Sequence, residues 1–165
     1  LITAWGGPKR KVNGLLGFSF LAGLALFAHG FAPSFTLLVV AGFVMFLTMP
    51  PAQSAGFALW QTKVPSQLLG RCMSIVRMTS EAALPLGYLL AGPLAQYVFE
   101  PAMRPGGALA GSVGRVIGVG EGRGLGLLFI VLGLAMAMLA ALGYALRPVR
   151  RVEEELPDAE SPVAA

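Results

Sequence analysis

Cysteine and histidine are almost missing from this sequence: Cys72 and His29 are the only ones among 165 residues. A lone cysteine builds neither a disulfide framework nor a cysteine-based metal site. A lone histidine removes His-pair metal motifs and argues against a His-dependent triad. Charge is scarce too. Asp, Glu, Lys and Arg make up 12% of the chain, against about 25% in an ordinary soluble domain, too little polar surface to cover a soluble fold of this length. The net charge of +4 is not a nucleic-acid footprint, because the basic residues flank apolar runs instead of forming one basic face with interleaved aromatics. Neither a nucleic-acid partner nor a cofactor is expected.

What is abundant is apolar sequence. Hydrophobic residues reach 56% and fall in long runs, and runs of 18 or more with few charges read as membrane-spanning helices. The expectation is an all-α membrane protein of about four transmembrane helices. The spans fall at about 14–31, 35–60, 72–99 and 124–146. The second is interrupted by Pro50-Pro51, where a kink or break is expected because proline removes a backbone donor and crowds the preceding turn. Residues 1–12 read as the end of a preceding helix and a basic turn. Gln61 to Arg71 is a polar connector, 100–123 a flexible Gly-rich outer loop, and 147–165 a charged tail too polar to bury and expected to be disordered. The opening residues lack the charged n-region of a signal peptide. They read as the end of a helix already under way, so a fragment, or the C-terminal part of a longer polypeptide, is expected.

Orientation follows from Lys and Arg near the span ends. One side carries nine (Lys9, Arg10, Lys11, Lys63, Arg71, Arg77, Arg147, Arg150, Arg151) and the other three (Arg104, Arg115, Arg123). The nine mark the cytoplasmic side of the plasma (inner) membrane, with both ends of the segment on it.

Helices packing in lipid rely on small residues that let backbones approach. The third span has such a stripe at Ala83, Gly87, Ala91 and Ala95, and the fourth at Gly133, Ala137, Ala141 and Ala145. Polar residues gather elsewhere: Thr48, Gln53 and Ser54 in the second span, and Ser74, Arg77, Thr79, Ser80 and Glu81 in the third. Unpaired polar groups are costly in lipid and face a bundle interior or a wet cavity. Spans two and three are therefore expected to look inward, and spans one and four outward to lipid.

Thr48, Gln53, Ser54, Phe57 and Trp60 are candidates for lining a substrate cavity. Gln53 shares a helical face with Phe57 and Trp60, a set that suits an amphiphilic ligand or, equally, a hydrogen bond to a neighbouring helix. Arg77 and Glu81 are i,i+4 neighbours. They read as a simple ion pair within snorkelling reach of water, or as a pair that changes partners when a gate opens. Gly118-Val-Gly-Glu-Gly-Arg-Gly124 lacks the Lys-Ser/Thr of a phosphate loop. Glu153-Glu-Glu155 reads as a solvated face of the tail.

These residues together resemble the C-terminal end of a major facilitator superfamily transporter of the macrolide or multidrug efflux branch. The similarity lies in Gly6-Gly-Pro-Lys-Arg-Lys11, Trp60-Gln-Thr-Lys-Val-Pro65, Leu69-Gly-Arg-Cys-Met-Ser74 with Arg77, Pro85-Leu-Gly-Tyr-Leu-Leu-Ala-Gly-Pro-Leu94 and Phe99-Glu-Pro101. It continues through Gly107-Ala-Leu-Ala-Gly-Ser-Val-Gly114, Gly122-Arg-Gly124 and Arg150-Arg-Val-Glu153. The resemblance implies that the four spans are helices nine to twelve of a twelve-helix fold, with ten and eleven bordering a central cavity. It implies that Lys9, Arg10, Arg71, Arg77 and Glu81 belong to a cytoplasmic charge gate, although the acidic residue and second glycine of the family's gate loop are absent. The implied partners are membrane lipid, the missing N-terminal helices and a small amphiphilic substrate exported by alternating access. A different class of function is a truncated, non-transporting membrane protein that acts by packing against a partner. A membrane-embedded enzyme is the weakest reading, because no intramembrane His, Asp or Cys pair is present.

Overall fold

The computed structural model describes residues 10–31 and 35–159, and these are helical with no strand among them. Helix α1 is Lys11–Gly30, α2 is Phe35–Lys63 and α3 is Ser66–Pro93, which continues through a π-helical stretch, Leu94–Phe99, into α4, Glu100–Met103. Helix α5 is Gly114–Ile117, α6 is Arg123–Ala145, α7 is Arg147–Arg150 and α8 is Val152–Glu155. Four of these units are long and apolar enough to cross a membrane: α1, α2, the continuous Ser66–Met103 rod and α6.

The boundaries differ from the sequence reading in two places. Helix α3 begins at Ser66 and not near Cys72, so only Val64 and Pro65 separate it from α2. Pro65 has no N–H to continue α2 and sits where a helix N-cap tolerates it. Helix α2 runs unbroken through Pro50 and Pro51. Proline in a long apolar helix is tolerated when the surroundings re-satisfy the freed carbonyls.

Helix α1 is the hub, packed against α2 on one side and α6 on the other. It had been expected to face outward, on the count of polar residues alone. That count missed a pair of glycines two turns apart on each helix. A Cβ on Gly23 would lie 2.7 Å from the Ala137 backbone nitrogen, and one on Gly133 would lie 2.7 Å from the Phe27 Cα. Gly30 and Gly126 meet in the same way, with a Gly126 Cβ only 2.9 Å from the Gly30 carbonyl oxygen. Backbone therefore touches backbone at two levels along an antiparallel crossing, which only glycine permits. Ala41, Thr48, Ala52 and Ala55 form the buried face of α2, and Gly56 and Gly42 on that helix approach Leu15 and His29 of α1.

The 100–123 segment is not an open loop. Met103, fully buried, packs with Ile117, Leu127 and Ile130, and Phe27, Phe31, Phe99, Leu109 and Val113 surround them. This small core closes one end of the bundle, called here the cap end. The opposite end holds Lys11, Lys63 and the arginines of α7 and is called the basic end.

Candidate functional site

The sequence candidates separate into three places. Thr48 is 6% exposed and lies in the α1–α2 contact, where its hydroxyl donates to the Val44 and Met45 carbonyls. Gln53, Ser54, Phe57 and Trp60 lie on exposed parts of α2. The five candidates therefore do not form one surface: Thr48 faces α1, and Gln53, Phe57 and Trp60 face away from it. A helix turns about 100° per residue, so Thr48 and Gln53, five apart, fall on opposite sides. Among the described residues no other helix covers the Gln53 side.

Helix α3 is more isolated still. None of its residues is buried. It touches α2, and its main link to α6 runs through the π-helical stretch and α4. Ser74, Thr79 and Ser80 donate to the carbonyls four residues back, so their hydroxyls need no outside partner. Arg77 and Glu81 do pair, at 3.8 Å, with both side chains well exposed. An exposed i,i+4 pair of this length contributes about 0.3–0.5 kcal/mol. Arg71 is exposed. Arg10 is drawn away to the tail, 2.8 Å from Glu154, so the structure does not gather Arg10, Arg71, Arg77 and Glu81 into one cluster. Lys9 lies outside the described residues, as do the 32–34 turn and residues 160–165.

The small-residue stripes also part company. Gly133 and Ala137 sit in the α1–α6 contact, but Ala141 is exposed and Ala140, at 6% exposure, takes its place. A strict spacing of four drifts about 40° per step around a helix of 3.6 residues per turn, so the fourth-residue stripe runs off the contact. Ala83, Gly87 and Ala91 are exposed and Ala95 half-buried, and space is open beside the Gly87 Cα.

The residues that do converge were not expected. The tail folds back onto the basic end, with α7 and α8 helical and Glu153 half-buried. The first turn of α1 has no acidic residue and no side-chain cap of its own, leaving its N–H groups without partners. The Glu153 carboxylate supplies them, accepting from the Lys11 backbone N–H at 3.0 Å and that of Val12 at 3.3 Å. Lys63 Nζ donates to the Glu153 and Leu156 carbonyls and to Asp158 at 2.8 Å. That hydrogen bond and the Lys63 charge hold the Asp158 carboxyl below its usual value of 3.8. Lys11 Nζ reaches Thr62 Oγ1 at 3.3 Å, and the Ala159 N–H donates to the Thr62 carbonyl. The tail thus ties α1 to α2, which corrects the reading of Glu153-Glu-Glu155 as a solvated face. At the cap end Glu100 plays the same part for α6, accepting from the Gly122 and Gly124 N–H groups at 2.8 and 2.9 Å. The only hint in the sequence was negative: both long helices start without a cap.

No family model matches the chain, and neither a curated protein nor a solved structure matches it. Among the described residues no group of three or more His, Cys, Asp or Glu is placed to hold a metal ion.

Proposed function

We propose that this chain is the C-terminal part of a secondary active transporter of the major facilitator type, exporting a small amphiphilic compound by alternating access. One observation carries the reading. The contacts of α1 with α2 and α6 bury a single polar side chain, Thr48, among the described residues. Gln53 on α2 and Arg77 and Glu81 on α3 stand on faces that the other described residues leave exposed. In a membrane such faces turn toward protein or water, since charged side chains in lipid are costly. On this reading further helices close over α3, and Gln53, Phe57 and Trp60 line the cavity between. The basic end is then cytoplasmic, as the Lys and Arg distribution favours.

A second reading has its own support. The α1–α2–α6 unit, closed by Glu153 at one end and the Met103 core at the other, holds together without α3. It suits a non-transporting protein that offers α3 to a partner helix.

The test is efflux of a fluorescent amphiphile from cells expressing the in-frame gene that encodes this chain. Gln53→Ala and Arg77→Ala at matched expression should lower efflux several-fold. If Arg77 and Glu81 work as a gate, the Arg77→Glu/Glu81→Arg exchange should restore part of what each single change removes. Absence of efflux from the wild-type gene, or wild-type efflux from both Gln53→Ala and Arg77→Ala, would remove the transport reading.

A further inference from the structure

Helices α1 and α6 touch at Gly30–Gly126 and at Gly23–Gly133, then part toward the basic end. There Leu16 and Phe20 of α1 stand opposite Ala140, Ala141 and Gly143 of α6. The gap is a groove of about 300 Å³, open along one side, at the lower end of the 300–1,000 Å³ typical of small-molecule sites. Its walls are almost wholly apolar, with Gly17 and Ala141 along its length, and its only polar residues are Asn13 and Tyr144. The Asn13 Oδ1 is buried and has no hydrogen-bond partner. The Arg150 guanidinium lies over the Tyr144 ring, 5.6 Å from its centroid, and Arg147 begins the same short helix. Neither arginine makes an ion pair among the described residues; the tail carboxylates that do are taken by Arg10 and Lys63.

We propose that this groove is a binding site for an anionic phospholipid carrying a head-group alcohol, of the phosphatidylglycerol kind. One acyl chain lies along Gly17 and Ala141. The phosphate meets Arg150 and Arg147, and a head-group hydroxyl donates to the Asn13 Oδ1. The parts agree in chemistry. The apolar crevice between two membrane helices suits a hydrocarbon chain. The Arg150 guanidinium over Tyr144, without an ion pair among the described residues, and Arg147 on the same short helix suit a phosphate, as basic pockets between membrane helices do elsewhere. Asn13 Oδ1, the groove's buried acceptor without a donor, takes a hydroxyl, whose gain is the removal of an unsatisfied polar atom. The site needs only the α1–α6 pair and the docked tail, so it does not rest on the transport reading.

Native mass spectrometry of the purified chain in detergent, with dioleoyl phosphatidylglycerol or dioleoyl phosphatidylcholine added at equal concentration, tests this. Phosphatidylcholine carries the same phosphate with its charge cancelled by choline, so two guanidiniums facing the net negative charge, each contributing about five-fold, predict roughly 25-fold tighter retention of phosphatidylglycerol. The Arg147→Gln/Arg150→Gln double variant should bring the two lipids to the same level, while Arg104→Gln at the cap end should change nothing. Gly17→Leu fills the groove where no atom lies within 4 Å of a new Cβ, so it should fold normally and weaken retention of both lipids about tenfold or more. Equal retention of the two lipids by the wild-type chain would overturn the proposal. So would a phosphatidylglycerol preference that survives loss of both arginines, an equal loss in Arg104→Gln, or unchanged retention by folded Gly17→Leu.

Discussion

Replacing Glu153 by alanine removes the acceptor for the first two N–H groups of α1 while leaving every residue of α1 in place. The side chain accepts two backbone hydrogen bonds, at 3.0 and 3.3 Å. Loss of a helix cap costs about 0.5–2 kcal/mol, and loss of a carboxylate at a helix N-terminus about 0.3–1 kcal/mol more. The two overlap, so about 1–2 kcal/mol is expected, a factor of about 5–30 in the local closed-to-open ratio. Amide hydrogen exchange of the chain in detergent micelles reads this directly. Protection of the Lys11 and Val12 amides should fall 5–30-fold in Glu153→Ala, and by less in Glu153→Gln, which keeps an acceptor and loses only the charge. The Gly122 and Gly124 amides, held by Glu100 more than a helix length away, should not respond. Glu100→Ala should give the mirror result. Unchanged protection at Lys11 and Val12 in Glu153→Ala would refute the cap and, with it, the docked position of the tail.

Three more outcomes follow from the geometry. Gly133→Leu drives a side chain into the Phe27 backbone and should destabilise the α1–α6 pair by at least about 1–3 kcal/mol in denaturant titrations; Gly87→Leu, facing open space, should leave that stability unchanged and lower efflux only if other helices cover α3. Because Lys63 lowers the Asp158 pKa, the Asp158–Lys63 contribution is complete above the unfolded value near 3.8 and fades as the pH falls through the lower folded value. Thiol labelling of a cysteine placed at Ala159 on a Cys72→Ser background, with its rate taken relative to a free thiol at the same pH because only the thiolate reacts, should therefore quicken below about pH 4, and a relative rate that does not change between pH 5 and 3 would argue against the pair. On the same background, a cysteine at Ala110 should react with an impermeant thiol reagent in intact cells and one at Ala159 should not; the opposite pattern would invert the orientation.

The apolar runs announced the four long helices to within a few residues, apart from the start of α3, because span length and charge exclusion are local properties. What the sequence hid is where segments far apart meet. Glu153 sits in a run of three glutamates that any pattern reading sends to solvent, and its role depends on a contact 141 residues back along the chain. Gly23 and Gly30 sit in a largely apolar stretch whose pattern marks no contact, yet they set a backbone-to-backbone helix crossing. Thr48 and Gln53 were grouped because they lie near the same two prolines, and the turn of the helix separates them. The Gly-rich segment before α6 read as flexible because its glycines are many. Four of them, Gly106, Gly118, Gly120 and Gly122, have positive φ, and those turns fold the segment over Met103.

The π-helical stretch between Pro93 and Pro101 has a consequence for the cap end. Pro101 has no N–H to offer the Tyr97 carbonyl, and the Glu100 N–H reaches back to Ala95, five residues away. Wide turns of this kind take up one residue more than an α-helix would, so everything after them is rotated by about 100° relative to an ordinary continuation of α3. It is this rotation that aims Glu100 at the start of α6. Rewinding the same residues as ordinary α-helix would swing the carboxylate about a quarter of a circle away from Gly122 and Gly124 and leave α6 uncapped without altering a single residue that touches it; deleting one residue along with the rewinding would keep it in place.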